Sequence, residues 1–185
     1  MTPRRLAVAR AHEVTEDGAA LARVAKGDVG ALGEIFDRHS RALLRFVSRS
    51  AGTSDAEDIV QTTFVRAAKV AATYDARGDS ARPWLFGIAV RVLQERRRAF
   101  ARLGRALSRL DASRTAGPPT AARSDLEKGL FRLTEAKRVV IVLAEIEGFT
   151  CEEIAAMLET PVGTVWTRLH HARKELRSFF EEGSS

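Results

Sequence analysis

Residues 148–176 read GFTCEEIAAMLETPVGTVWTRLHHARKEL, and they settle what kind of chain this is. Gly148 stands where a preceding helix would stop, because glycine tolerates the left-handed conformation just past a helix end. Thr150 with Glu153 three residues on is a capping box that opens a short helix. Ile154, Ala155 and Leu158 mark its inner side. The LETP stretch breaks it, Thr160 caps a second helix, and Pro161 takes the first helical position. On that second helix Val162, Val165, Leu169, Ala172 and Leu176 recur at spacings of three and four, which predicts one inward stripe. The outward side carries Thr164, Trp166, Thr167, Arg168, His170, His171 and Lys174. A short helix, a tight turn and an amphipathic helix with a basic outer face make a helix-turn-helix. Such a second helix fits the DNA major groove and presents its N-terminal residues to base edges. An ordinary helical hairpin with a solvated charged face shares this periodicity, so the rest of the chain must decide between them.

Upstream, DASRTAGPPTAARS (111–124) contains two adjacent prolines, a glycine and no large apolar residue. It cannot bury a core and reads as a linker. The chain accordingly divides into a loose tail (1–18), a helical domain (19–105), a linker (106–124) and a smaller helical domain (125–181). In the first domain a short helix is expected around Leu21 and Val24. Leu32, Ile35, Phe36, Leu43, Leu44, Phe46 and Val47 fit one or two longer helices. A further helix carries Ile59, Val60, Phe64, Val65 and Ala68, with Ser54 and Glu57 as its capping box. After a loop at YDARGDSAR, Pro83 begins a helix with Trp84, Leu85, Ile88, Val92 and Leu93. Ser124 with Glu127 opens the first helix after the linker. No run of alternating β-branched residues is present, so the fold class is all-α.

The 185 residues hold 30 Lys and Arg against 24 Asp and Glu, a formal charge of +6, and the pI is about 10.2. An anionic partner such as nucleic acid is favoured. The charge is clustered. Arg91, Arg96, Arg97, Arg98, Arg102, Arg105 and Arg109 run together with Glu95 as the one acid among them. Arg168, His170, His171, Arg173, Lys174 and Arg177 form a second group. The first run repels itself unless an anion neutralises it, which points to phosphate. Against this background SDAEDIVQTTF (54–64) stands out, with Asp55, Glu57 and Asp58 crowded into one helical turn. As partners of the helix dipole these acids would contribute about 0.3–1 kcal/mol each. The single Cys excludes an intrachain disulfide and suits a reducing compartment. No secretory signal or membrane span is expected.

DAEDIVQTTFVRA, then RPWLFGIAV, then, across a Pro-rich linker, EGFTCEEIAAMLETPVGTVWTRLHHAR together resemble the extracytoplasmic-function sigma factors of bacterial RNA polymerase, over roughly residues 19–180. The resemblance implies two helical domains, sigma region 2 and a helix-turn-helix region 4, joined by a flexible linker, in a cytoplasmic protein. It implies that Asp55, Glu57, Asp58, Gln61 and Phe64 dock on the clamp helices of the largest polymerase subunit. It implies that Tyr74, Arg82, Arg91, Glu95, Arg96, Arg97 and Arg98 meet the −10 element, with the Arg-rich end holding phosphates. Trp84 is more simply a core aromatic. Thr164, Trp166, Thr167, Arg168, His171 and Arg173 become candidates for reading the −35 element, and the same domain would bind the flap tip of the other large subunit. An anti-sigma protein is the usual further partner. The chain departs from the family pattern at Ala81, Arg91, Trp166 and His171, which makes the usual promoter consensus unsafe to borrow.

A helix-turn-helix regulator that works without polymerase would have no need of the DAEDIVQTTF helix, and two separate basic faces argue against a helical adaptor. No catalytic, cofactor or metal set is expected. Cys151 has no nucleophile partner, and the adjacent His170 and His171 point about 100° apart on a helix.

Overall fold

The computed structural model describes residues 16–52, 54–75, 80–107 and 124–182. Most of the expected tail and nearly all of the expected linker lie outside them. The described residues form eight α-helices and no strand. Helix α1 covers residues 16–24, taking in three positions that the sequence reading leaves to the tail. The reason is Asp17, fully buried, which accepts a hydrogen bond from Arg38 and sits 2.7 Å from Nε2 of the buried His39. A charge so deep must be paired, and the pairing ties α1 to the next helix.

Helix α2 (Val29–Ala51) is capped by Asp28, whose carboxylate accepts from the Ala31 amide at 3.2 Å. It buries Ile35, Leu43, Phe46 and Val47, one stripe at helical spacing. It ends at Gly52, whose φ of +104° only glycine adopts readily. Helix α3 (Ala56–Val70) starts at Asp55 with no side-chain cap bond. The expected Ser54–Glu57 box is therefore absent, and charge–dipole attraction from Glu57 and Asp58 supports the first turn instead. A single 3-10 turn (Ala71–Thr73) leads to the loop before α4 (Arg82–Leu107).

Helix α4 has two halves with different surroundings. From Leu85 to Leu93 every described position except Arg91 is buried. From Glu95 to Arg102 the helix is basic and lies outside the core. Helices α5 (Asp125–Arg132) and α7 (Cys151–Leu158) both open on complete capping boxes, Ser124–Glu127 and Thr150–Glu153. Between them α6 (Glu135–Ile141) runs into a π-type turn at Val142–Ile146, and Gly148 reverses the chain with φ of +75°. Helix α8 (Val162–Glu182) buries Val165, Leu169 and Ala172. Val162, expected on the same inward stripe, is the first residue of the helix and is 40% exposed.

The two helical units close on one another. Helices α1–α4 and α5–α8 share one hydrophobic cluster. Phe86 of α4 packs edge-on against Phe149 at 5.0 Å. Gly87 lies against Met157 of α7, where an added Cβ would sit 3.8 Å from the Met side chain.

Candidate nucleic-acid and polymerase interfaces

The acidic turn of α3 projects from the surface. Glu57, Asp58 and Gln61 are exposed and Asp55 is half-buried. Phe64 is a correction to the expected docking set. It is 3% exposed and packs its ring 4.8 Å from Phe36. The position faces α2, so Phe64 belongs to the core. Phe36, 40% exposed, is the aromatic on the surface at this point, and Val65, 54% exposed, extends the patch one turn beyond Gln61. Adjacent Ile35 and Phe36 lie about 100° apart on the helix, and Ile35, fully buried, takes the core position here.

The seven residues expected at the −10 element come together along α4 and its leading loop, and the protein's own charges engage most of them. Tyr74 is half-buried, its ring 5.4 Å from that of Trp84. Its hydroxyl is buried with no hydrogen-bond partner among the described residues, and burial pushes the phenol pKa up, with Asp17 and Asp75 adding to the rise. Trp84 packs on the core, as its simpler reading has it. Glu95 is held by Arg66 at 2.8 Å, and that hydrogen bond keeps the Glu95 carboxyl below the usual range. Arg96 reaches back to the acidic turn, bonding Asp58 and lying 3.8 Å from Asp55. Arg91, Arg97 and Arg82 meet Glu159, Glu135 and Glu147 of the second unit, at 2.7, 3.0 and 2.6 Å. The self-repulsion of the Arg run is thus relieved by carboxylates brought in from distant sequence. Arg98 is exposed and pairs with no carboxylate among the described residues within 4 Å.

On α8, Trp166, Thr167 and His171 are exposed, and Thr164 is half-buried. Thr167 donates from Oγ1 to the Gly163 carbonyl at 2.9 Å. Arg173 donates to Glu145 at 2.8 Å, so its guanidinium is anchored beside the π-type turn. Arg168 is half-buried and faces a cleft of about 650 Å³ between α4, α6 and α7. Arg97, Arg98 and Arg102 rim that cleft over Leu93, Val139 and Leu158. Thr164, Thr167, Arg168 and His171 fall on one face at helical spacing. Trp166 lies about 150° round the helix from that face, on the side of Arg173. Ala155, expected on the inner side of α7, is half-buried beside the more deeply buried Ile154 and Met157.

Two sequence families match this architecture. Sigma-70 region 2 matches residues 35–103, and Sigma-70 region 4 matches residues 124–176. The ECF RNA polymerase sigma-E factor of Escherichia coli K12 is 31% identical over an alignment of 181 residues, covering 89% of this chain and 94% of that protein. This chain belongs to the ECF sigma factors. As an RNA polymerase sigma factor it is a transcription initiation factor that works at specific promoters. RNA polymerase sigma factor NccH of Alcaligenes xylosoxydans xylosoxydans is 34% identical, covering 89% of this sigma factor and 95% of NccH. Among solved structures, RpoE in complex with the anti-sigma factor NepR from Bartonella quintana matches with a TM-score of 0.69 at 25% identity. It covers 83% of this sigma factor and 98% of that chain. CnrH in complex with the cytosolic domain of CnrY matches with a TM-score of 0.66 at 30% identity, covering 90% and 98%. Helices α2–α4 are therefore the region 2 unit and α5–α8 the region 4 unit. No helix among the described residues is long and apolar enough to cross a membrane.

Proposed function

We propose that this sigma factor docks on core polymerase through the α3 surface, meets the −10 strand with α4, and reads the −35 duplex with α8. Asp55, Glu57, Asp58 and Gln61 supply the charged and hydrogen-bonding part of the docking face, and Phe36 and Val65 its apolar part. Tyr74, Arg82, Arg91, Arg96, Arg97 and Arg98 line the path of the opened strand, where a positively charged groove tracks the backbone. Glu95 fixes Arg66 beside that path. Thr164, Trp166, Thr167, Arg168 and His171 reach the −35 bases, with Arg173 on the neighbouring backbone. Linking two weak DNA sites through one tether multiplies affinity without a tight single site. The protein works in the cytoplasm, where its polymerase is, and uses no cofactor. The flap tip of the second large subunit meets the region 4 unit. An anti-sigma protein is a further partner, a reading supported by the similar RpoE, which was co-crystallised with the anti-sigma factor NepR.

The observation that carries this reading is the acidic turn of α3, where Glu57, Asp58 and Gln61 are exposed beside the basic end of α4, in a chain whose second unit carries a further basic helix. The test is binding of purified core RNA polymerase to the wild type, Asp58→Lys and Arg96→Gln. Asp58→Lys should lose polymerase affinity by tenfold or more, because it places like charge against a basic partner. Arg96→Gln removes the internal partner of Asp58 and should leave polymerase affinity intact or raised. If both variants lose affinity equally, the Arg96–Asp58 pair is needed only to hold α3, and the docking role of Asp58 fails.

A further inference from the structure

We infer that the cleft bordered by α4, α6, α7 and α8 is a binding site for a nucleoside polyphosphate, with Arg98, Arg102 and Arg168 holding its phosphates. Such a site requires none of the promoter contacts proposed above.

Four arginines border this cleft of about 650 Å³, and one acid lines it. That acid, Glu135, is already engaged by Arg97 at 3.0 Å. An adjoining hollow shares Gln94, Arg98 and Leu158 with the cleft and brings Glu95 and Glu159 close by. Both are engaged as well, Glu95 by Arg66 at 2.8 Å and Glu159 by Arg91 at 2.7 Å. Arg98, Arg102 and Arg168 are left with no ion pair among the described residues. Arg98 and Arg102 stand one turn apart on the same face of α4, where like charges repel. Arg168 comes from α8 and is half-buried. A guanidinium keeps its proton in any protein setting, so three of them around one cleft call for an anion from outside the chain.

The lining narrows the chemistry of that anion. Each guanidinium offers phosphate oxygens a two-donor fork. Leu93, Val139 and Leu158 form an apolar floor beneath the arginines. A lone phosphate would engage the cations and leave that floor in water, whereas a flat base would cover it. Gln94 and Thr160 bring an amide and a hydroxyl to the lining, each able to donate and accept. The volume falls in the range of small-molecule sites, roughly 300–1,000 Å³. An apolar platform, two neutral polar groups and three cations correspond to the base, the sugar and the phosphate chain of a nucleotide.

Isothermal titration calorimetry of the full chain with ATP tests the site. The wild type should bind, and Arg102→Gln and Arg168→Gln should each weaken binding about tenfold, as loss of a charged hydrogen-bond partner does. The two arginines lie on separate helices, so a loss in both variants means that one ligand spans them. Lys26→Gln combined with Lys69→Gln removes two exposed cations away from the cleft. That control lowers the net charge further than either arginine variant, yet should change ATP affinity less than about twofold, because distant surface charges are screened. Inorganic tripolyphosphate should bind at least about threefold more weakly than ATP, since it has no apolar surface to bury on the floor. Thermal melts without ligand should give all variants the wild-type midpoint, and ATP should raise the midpoint of the wild type by mass action. No binding by the wild type, or equal weakening by the lysine control, overturns the site. A loss confined to one of the two arginine variants overturns the spanning ligand. Tripolyphosphate binding as tightly as ATP overturns the nucleoside assignment.

Discussion

Phe36 and Phe64 touch, yet only one of them meets solvent. Phe64 sits in the core with its ring 4.8 Å from Phe36. Truncating a buried aromatic to Ala costs about 3–5 kcal/mol through lost transfer energy and the cavity left behind. Phe64→Ala should therefore lower the denaturation midpoint strongly, whereas Phe36→Ala should cost much less stability and weaken polymerase binding; urea unfolding beside a polymerase-binding assay separates the two. Helical periodicity marked both residues as apolar, but which one the core takes depends on where α2 and α3 cross. Tyr74 is the single tyrosine, which makes its ionisation easy to follow in absorbance. Burial raises its pKa above the ordinary phenol value of about 10. The folded state thus prefers the protonated phenol. Its contribution to stability is complete below the unfolded value and is lost as pH rises through the folded one. A spectrophotometric titration should show ionisation later in the native protein than in urea; coincident curves would mean the phenol is solvated.

Among the elements, the helix-turn-helix was the most legible part of the chain, because its signals are local. The Thr150–Glu153 box, the glycine at 148 and the stripe of Val165, Leu169 and Ala172 act within a few residues of one another, and all three are present. Helix α3 shows where such reading stops. Ser54 and Glu57 have the spacing of a capping box, but the helix starts at Asp55 without one, and Asp55 and Asp58 turn toward Arg96 of α4. The partner of Asp58 lies 38 residues away in the chain, where no local spacing announces it. On α8 the exposed Trp166 and His171 remain the reading candidates. Replacing both by Ala should impair −35 recognition at least tenfold, each lost base contact being worth about 1–3 kcal/mol. Polymerase binding should be unchanged. Promoter selection measured by in vitro transcription checks this, and unaltered selectivity would remove both side chains from the reading face.

Over the whole molecule, composition, periodicity and turn chemistry were enough to establish an all-α chain in two units, the helix-turn-helix in the second, and the clustering of positive charge. These follow from interactions a few residues long, such as caps, helical stripes and proline breaks. The docking of one unit on the other was decided only by the tertiary structure. Arg82 finds Glu147 at a separation of 65 residues and Arg91 finds Glu159 at 68. No local period encodes which carboxylate will neutralise which arginine. The basic run read along the sequence as a surface awaiting an anion, and folding supplies acids of its own, because charges distant along the chain are brought within hydrogen-bonding range only when the hydrophobic faces of the two units have met.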